Sequence, residues 1–152
     1  IKSAVVLYNQ LKEKPSGKAV YLLHSNFTRA DRKIKEFHIL SMGQKNSDES
    51  GIWVATQIVE ASLDIDFDFL FTELSDLNGL FQRMGRCYRK RILNKQYNCF
   101  VFTGGNKRCS GVGYFINPKI HNFSKEALAD IDGQISETEK VAMVRELYTK
   151  EK

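Results

Sequence analysis

The chain contains 152 residues, carries a formal net charge of +5, and is 42% hydrophobic and 27% charged. Its length allows one domain with a substantial core, because a chain of about this size buries roughly 70% of the surface that its unfolded form exposes, whereas two full domains would be cramped. No apolar run approaches the ~20 residues that cross a bilayer, which argues against a membrane protein. The excess of positive charge favours a polyanionic partner.

Cysteine and histidine usage argues against a metal centre and a disulfide scaffold. The three cysteines lack Cys-x-x-Cys spacing, and the three histidines are scattered along the chain. These residues are Cys87, Cys99 and Cys109, and His24, His38 and His121. We therefore expect no bound metal and a reducing, cytoplasmic location. The chain begins at Ile1 without an initiating methionine or a signal-like segment, and we expect it to be an excerpt from a longer polypeptide.

The first third of the chain predicts a helix, a strand and a second helix. Apolar residues spaced as on one helix face run from Ile1 to Leu11 and stop before a turn signal at residues 15–17. The continuous apolar run Ala19–Leu23 is typical of a strand buried in a parallel sheet. A second helix is predicted to begin after Thr28, which acts as its cap. The predicted buried stripe of this helix consists of Ile34, Phe37 and Leu40.

Strands and helices continue to alternate in the middle of the chain. Strands are predicted at Ile52–Ala55, at Phe67–Thr72 and at Tyr97–Phe102. Ser75 or Asp76 caps a helix between the last two strands. The apolar positions of that helix are Leu77, Leu80, Phe81 and Met84. This alternation predicts an α/β fold with an open, mostly parallel sheet, helices on both faces, and functional groups at the carboxyl ends of the strands.

The last third of the chain has a different pattern. The segment Thr103–Gly113, TGGNKRCSGVG, lacks the spacing of a nucleotide-binding P-loop, and we interpret it as a flexible basic loop. Helices are then predicted at SKEALADI and after a capping box formed by Ser136 and Glu139. The side chains predicted to face the core there are Val141, Val144 and Tyr148. We expect residues 1–116 to form one domain and residues 117–152 to form a helical extension or a linker.

Two polar patterns remain unexplained by packing. Thr56 follows a predicted strand, and acids then alternate with apolar residues at Asp64, Asp66 and Asp68, as is typical of a solvated edge. Further along lie Gln82, Arg83, Arg86 and Arg89, at helical spacing. These arginines fit a solvated basic face, but Gly85 among them opposes helix formation by about 1 kcal/mol relative to alanine. Gly85 therefore suggests that a backbone or a ligand comes close.

Both patterns resemble motifs of one family. VATQIVEASLDID and QRMGRCYR resemble the fifth and sixth motifs in the second RecA-like domain of superfamily-two helicases, and LLHSNFTRADR resembles the fourth-motif region. Together these segments are most similar to the CRISPR-associated type I helicase-nucleases, the Cas3 family, over nearly the whole chain. Ser62 stands where many DEAD-type relatives have glycine, which moves the resemblance toward the DExH and Cas3-like sequences.

The resemblance implies a RecA-like fold, with roles for residues in a nucleotide cleft and on a nucleic-acid strand. Arg86 and Arg89 would reach the γ-phosphate of ATP, Gln82 would lie in the same cleft, and Asp64 would meet the ribose or couple to the arginines. The residues implied to contact a strand backbone are Ser25, Arg32 and Thr56. ATP with Mg²⁺ would be held mainly by a first RecA-like domain that this chain does not contain.

The implied partners are single-stranded DNA, the first RecA-like domain, an HD nuclease domain or subunit, and a CRISPR surveillance complex. Two alternatives remain open at this point: a DExH-type RNA helicase domain, and a basic module that binds nucleic acid without hydrolysing ATP. For either helicase assignment, we expect the isolated chain to show no nucleic-acid-stimulated ATPase activity.

Overall fold

The computed structural model describes residues 1–44, 46–60, 63–89, 91, 94 and 96–151. The chain divides into two compact units, Ile1–Phe67 and Asp68–Lys152, and each contains its own pair of parallel strands. None of the helices in the described part of the chain combines the length and the apolar character that a bilayer crossing requires.

The first unit alternates helices with two parallel strands. It consists of α1 (Lys2–Lys12), β1 (Ala19–Leu23), α2 (Arg29–Met42), β2 (Gly51–Ala55) and a 3-10 turn (Gln57–Glu60). The two strands pair in register from Ala19 opposite Gly51 to Leu23 opposite Ala55. The Thr28 hydroxyl accepts a hydrogen bond from the Asp31 amide at 3.2 Å, so the predicted cap of α2 is confirmed.

Of the predicted stripe of α2, Leu40 is half-buried and packs against the core of the first unit as expected, but the prediction is wrong for Ile34 and Phe37. Ile39 is 1% exposed and packs with Leu23 and Ile65, whereas Phe37 is 75% exposed and Ile34 is exposed as well. The buried face of α2 carries Ile39 and Met42, which contact side chains of the two strands. The neighbouring Met42 accepts a hydrogen bond from the Trp53 indole at 3.2 Å.

The second unit contains the other parallel pair. It consists of β3 (Leu70–Glu73), α3 (Leu77–Met84), β4 (Cys99–Phe102), α4 (Pro118–Ala127) and α5 (Glu137–Glu151). Both strands start later than predicted, and they pair from Leu70 opposite Cys99 to Glu73 opposite Phe102. The core of this unit consists of Leu74, Leu80, Cys109, Val112 and Ile116.

The helices of the second unit depart from their predicted positions in three places. Gly85 caps the end of α3, so this helix is shorter than the arginine spacing suggested. The fourth helix begins at Pro118 rather than at the predicted SKEALADI segment, because the Asn117 side chain accepts a hydrogen bond from the Lys119 amide and caps it. In α5, Leu147 is buried, whereas Val141 and Tyr148 are exposed, although both were predicted to face the core.

Several features match the sequence-based prediction. The capping box of α5 is confirmed, since the Glu139 carboxylate accepts a hydrogen bond from the Ser136 amide at 2.6 Å and the Glu139 amide donates to the Ser136 hydroxyl at 3.2 Å. The α/β class with parallel pairing is also confirmed. The division of the chain at residues 116 and 117 stays a prediction.

Candidate functional site

Two hydroxyl side chains follow the carboxyl ends of paired strands in the first unit. Because Leu23 lies opposite Ala55, Ser25 and Thr56 come directly after the same edge of the sheet. Ser25 is exposed and Thr56 is half-buried. The Thr56 amide donates a hydrogen bond to the Leu23 carbonyl at 3.2 Å, which leaves the hydroxyl as the Thr56 group that can meet a phosphate.

The loop that carries Ser25 is held by its neighbours. The His24 ring stacks on Phe27 with 4.2 Å between centroids, and its Nδ1 accepts a hydrogen bond from the Asn26 amide at 3.2 Å. Nδ1 is therefore the acceptor of the neutral ring. These two contacts hold the backbone on both sides of Ser25. The scattered placement of the histidines did not indicate this role for His24.

Arg32 is not an isolated cation. It lies in α2, where its Nε is 2.7 Å from Glu36 Oε1, and its side chain is 42% exposed. An i, i+4 pair at a partly exposed position contributes only about 0.3–0.5 kcal/mol. The side chain is therefore only weakly restrained, and it lies in the turn that follows the Thr28 cap.

Asp64 is adjacent to Ile65, whose buried side chain fixes this segment against the core of the first unit. Asp64 is exposed, whereas Ile65 is 4% exposed and packs against Gly43, where an added Cβ would come within 2.8 Å of the Ile65 side chain. The Asp66 amide donates a hydrogen bond to the Gly43 carbonyl at 2.9 Å. The alternation of acids with apolar residues therefore orients Asp64 away from the core of the first unit. Ser62 lies outside the described residues.

In the second unit, Gln82 and Arg83 have different environments although they are adjacent in α3. Gln82 is exposed, whereas Arg83 is only 7% exposed. Its Nη2 donates to the Glu73 carbonyl at 3.2 Å and to the Ser75 hydroxyl at 3.1 Å. Arg83 therefore joins α3 to the end of β3, and its assignment to a solvated basic face is wrong.

Arg86 and Arg89 lie beyond the end of α3. The Arg86 amide donates to the Arg83 carbonyl at 3.0 Å, and the Cys87 amide donates to the Met84 carbonyl at 3.1 Å, which closes a tight turn. Arg86 is half-buried, with its Nε shielded from solvent, and Arg89 is exposed. The two predicted nucleotide-contacting arginines are thus presented by a turn rather than by a helix face.

Glycine and tyrosine shape this turn in different ways. A Cβ on Gly85 would meet no atom closer than the carbonyl oxygens of Phe81 and Gln82, at 3.5 Å, so no backbone of the described residues comes unusually close, and the expected approach of a ligand stays a prediction. Gly85 ends the helix. Tyr88, between the arginines, has φ of +50°, a left-handed conformation that costs a non-glycine residue roughly 1–2 kcal/mol.

The other end of α3 is fixed by residues from α4. His121 Nδ1 lies 2.9 Å from the Ser75 carbonyl, and the Leu77 amide donates to the Ser124 hydroxyl at 3.2 Å. Together with the hydrogen bonds from Arg83, these contacts give partners to polar groups of the segment that leads from β3 into α3. This network could not be predicted from sequence patterns, because its members lie far apart along the chain.

Metal ligation has no candidate in the described residues. No group of three or more histidine, cysteine, aspartate or glutamate side chains there is arranged to hold a metal ion. The polar groups at the arginine turn are instead donors that suit an anion.

Comparison with known proteins shows a family to which the chain is similar. A family model described as the C-terminal part of the CRISPR-associated nuclease/helicase Cas3 matches residues 1–92. The chain is 33% identical to the CRISPR-associated nuclease/helicase Cas3 of Methanothermobacter thermautotrophicus over 156 aligned residues. The alignment covers 99% of this chain but only 18% of that protein.

Solved structures give the same fold. A crystal structure of a CRISPR-associated protein matches with a TM-score of 0.83 and 26% identity, over 98% of this chain and 18% of that one. The crystal structure of T. fusca Cas3 with ATP matches with a TM-score of 0.80 and 23% identity, over 97% and 19%. A chain in a CRISPR RNA-guided surveillance complex before nicking matches with a TM-score of 0.73 and 24% identity, over 97% and 20%.

Proposed function

Because the chain belongs to the C-terminal family of the CRISPR-associated nuclease/helicase Cas3, we propose that it forms the second RecA-like motor unit of an ATP-dependent helicase that moves along single-stranded DNA in CRISPR interference. The observation that carries the proposal is the pair Arg86 and Arg89, presented by the turn after α3 and contained in the matched range. The chain spans about a fifth of the length of its relatives, so the whole protein's activity is part of the proposal.

The residues after α3 suit the chemistry of phosphoryl transfer. ATP bound with Mg²⁺ supplies the phosphoryl group whose transfer to water drives such motors. Arg86 and Arg89 present guanidinium donors that neutralise charge on phosphate oxygens, and an arginine in this role contributes roughly 10³- to 10⁵-fold in rate. Gln82 offers an exposed amide one turn earlier. As the family resemblance implies, we assign Mg²⁺ mainly to the first RecA-like domain.

The first unit supplies the contacts to nucleic acid. The Thr56 hydroxyl, the exposed Ser25 hydroxyl and the Arg32 guanidinium are donors to phosphate oxygens, which fix the position of a strand without reading its sequence. Asp64 is exposed and acidic, so it suits a ribose hydroxyl better than a phosphate. Binding through these groups would be independent of base sequence.

The remaining partners follow from the family. We assign an HD nuclease domain or subunit, a first RecA-like domain and a CRISPR surveillance complex as partners of the intact assembly. The match of the chain to a surveillance-complex structure supports the last of these. The alternative of an RNA helicase predicts a preference for RNA over DNA of the same sequence, which a direct binding comparison measures.

The test replaces one arginine in a protein that contains both motor domains. We expect Arg86→Ala to lower ATP turnover by roughly 10³-fold or more, because a phosphate-neutralising donor is lost, while binding of single-stranded DNA is retained. Arg145→Ala is the matched control, since Arg145 is an exposed arginine of α5. Stimulated ATP hydrolysis and DNA binding are measured side by side.

Two outcomes would contradict the proposal. Unchanged turnover in Arg86→Ala would remove the arginine role, and DNA binding without any turnover in the parent protein would favour a non-hydrolytic binding module. Residues 1–152 alone are expected to hydrolyse no ATP in response to DNA. Clear activity there would contradict the assignment of the remaining ATP contacts to the first domain.

A further inference from the structure

The basic loop after β4 has a conformation that depends on its glycines. Gly104 and Gly105 have φ of +88° and +53°. A Cβ on Gly104 would lie 2.2 Å from the Lys107 carbonyl oxygen, and the Lys107 amide donates to the Gly104 carbonyl at 2.8 Å. The turn therefore requires glycine. It gives the backbone that leads to Lys107 and Arg108 a defined turn.

A cavity of about 220 Å³ opens between this loop and α4. That volume is well above the ~15 Å³ that one water molecule requires. Its polar lining includes Asn106, Lys107, Arg108, His121, Asn122 and Lys125. No aspartate or glutamate is among the lining residues. Glu73 contacts the loop from outside the cavity, where its carboxylate accepts a hydrogen bond from the Ser110 amide at 2.9 Å.

The cations around the cavity are available to an anion. Lys107, Arg108 and Lys125 are exposed, and none of them pairs with a carboxylate among the described residues. Three cations with no facing carboxylate create a local positive potential, which concentrates anions. A phosphate group matches this arrangement in charge and in its need for several donors.

A buried histidine faces the same cavity. His121 is 6% exposed and lines the cavity, and its Nδ1 must donate to the Ser75 carbonyl because a carbonyl oxygen only accepts. The ring is thereby fixed, and no described residue forms a hydrogen bond with Nε2. With the proton on Nδ1, Nε2 of a neutral imidazole is an acceptor, so it suits a water molecule bound beside the phosphate rather than the phosphate oxygens themselves.

Exposed aromatic residues follow the loop directly. Val112 lines the cavity and pairs with Ile116, and the turn between them presents Tyr114, which is 94% exposed. The Phe115 ring lies against Gly111 and is also exposed. Aromatic side chains beside cations are the combination that binds single strands, since bases stack on the rings while phosphates meet the cations.

We propose that the cavity between the loop and α4 binds a phosphodiester of single-stranded DNA, with a neighbouring base stacked on Tyr114. This inference rests on the proposed function, and it adds a strand contact in the second unit that lies outside the helicase motifs. Lys107, Arg108 and Lys125 neutralise the phosphate, and Asn106 and Asn122 supply further polar groups at the rim.

The test measures binding of fluorescent oligothymidylate, about 16 nucleotides long, to residues 1–152. We expect the double variant Lys107→Gln, Arg108→Gln to bind roughly tenfold more weakly, and the slope of log K against log salt to fall by about 0.7 for each cation lost. The matched control is Lys14→Gln, Arg145→Gln, which removes the same charge from exposed positions elsewhere. We expect Tyr114→Ala to weaken binding by roughly tenfold, and Tyr114→Phe to retain it.

The outcomes separate this inference from the proposed function. If Thr56→Ala weakens binding while the loop variant behaves like its control, the inference fails and the motor assignment stands. If the parent chain does not bind the oligonucleotide at all, both fail. Inorganic phosphate serves as the second probe: saturable binding that depends on Lys107 and Arg108, without any loss of oligonucleotide affinity in the variant, would show a free-anion site and overturn the assignment to DNA.

Discussion

Two cysteines of the second unit have opposite electrostatic environments. A hydrogen bond from the Cys87 side chain lowers the pKa of Cys99, with a smaller contribution from the charge of Lys140, although burial opposes the change. Burial raises the pKa of Cys109, and the Glu73 carboxylate adds to that effect. Because the thiolate is the nucleophile, the two groups become reactive at different pH.

This difference predicts the order in which the thiols are alkylated. As the pH rises, Cys99 is expected to react with iodoacetamide at a lower pH than Cys109, because its thiolate forms first. Peptide mass spectrometry after short pulses of iodoacetamide gives the pH at which alkylation of each cysteine begins. Comparing pulse lengths separates the effect of thiol ionisation from slow access of the reagent to a buried thiol. Cys87→Ala should raise the onset pH of Cys99 by removing the donor. In urea, which unfolds the chain, the two cysteines should begin to react at similar pH. Alkylation of Cys109 at a lower pH than Cys99 in the folded chain would contradict the predicted order.

The burial of Arg83 is a feature that the sequence pattern does not predict. Helical spacing groups Arg83 with Gln82 and Arg86, and nothing in the pattern separates a buried arginine from an exposed one. The difference arises from the Glu73 carbonyl and the Ser75 hydroxyl, which become its acceptors only when β3 and α3 meet. The family motifs located the arginine turn, whereas this structural arginine could be found only from tertiary contacts.

Secondary structure was predicted well where signals are local. Ala19–Leu23 and the Thr28 cap follow from hydrophobicity and capping chemistry alone, and both are confirmed. Two local signals were misinterpreted: Gly85 ends α3 as a glycine often does, and the Asn117–Pro118 pair starts α4. The buried face of α2 could be predicted only in part, because its apolar residues are spread around the helix, and the sequence pattern does not show which of them contact the strands.

The face of α2 gives a prediction with a matched pair of variants. Ile39→Ala is expected to lower the free energy of unfolding by about 2–4 kcal/mol, because Ile39 is buried against Leu23 and Ile65. Phe37→Ala removes a larger side chain on the same helix, yet it should change the free energy by less than about 0.5 kcal/mol. Urea denaturation of each variant measures both values. An equal loss in the two variants would mean that the helix presents a different face to the core.

For the molecule as a whole, the α/β class follows from the sequence, but the long-range contacts of the second unit do not. The hydrogen bonds from α4 to the Ser75 carbonyl and the Leu77 amide join residues separated by 46 and 47 positions. Hydrophobic periodicity reports only on neighbouring turns of the chain, so it does not predict hydrogen bonds over such separations. The predicted division after Ile116 would place the partners of these bonds in different segments.

Truncation tests that division directly. We expect a chain that ends at Ile116 to unfold at a temperature roughly 5 °C or more below that of the full chain, because buried donors and acceptors beside α3 lose their partners. Ser124→Ala in the full chain is the conservative companion, which removes one acceptor and little volume; we expect a smaller shift in the same direction. Thermal melts followed by circular dichroism give both values. Identical melting of the truncated and full chains would establish residues 117–152 as a separate extension.

The hydrogen bond between Leu77 and Ser124 also sets an order of events during synthesis. The amide of Leu77 leaves the ribosome 47 residues before the hydroxyl that satisfies it, an interval of about 2–10 s at usual elongation rates. Until then the start of α3 depends on water, and closing so long a loop is slower than forming contacts between neighbours. A nascent chain paused before Asn117 would therefore hold α3 with the Leu77 amide hydrogen-bonded to water and with the local Asp76 cap as its side-chain support.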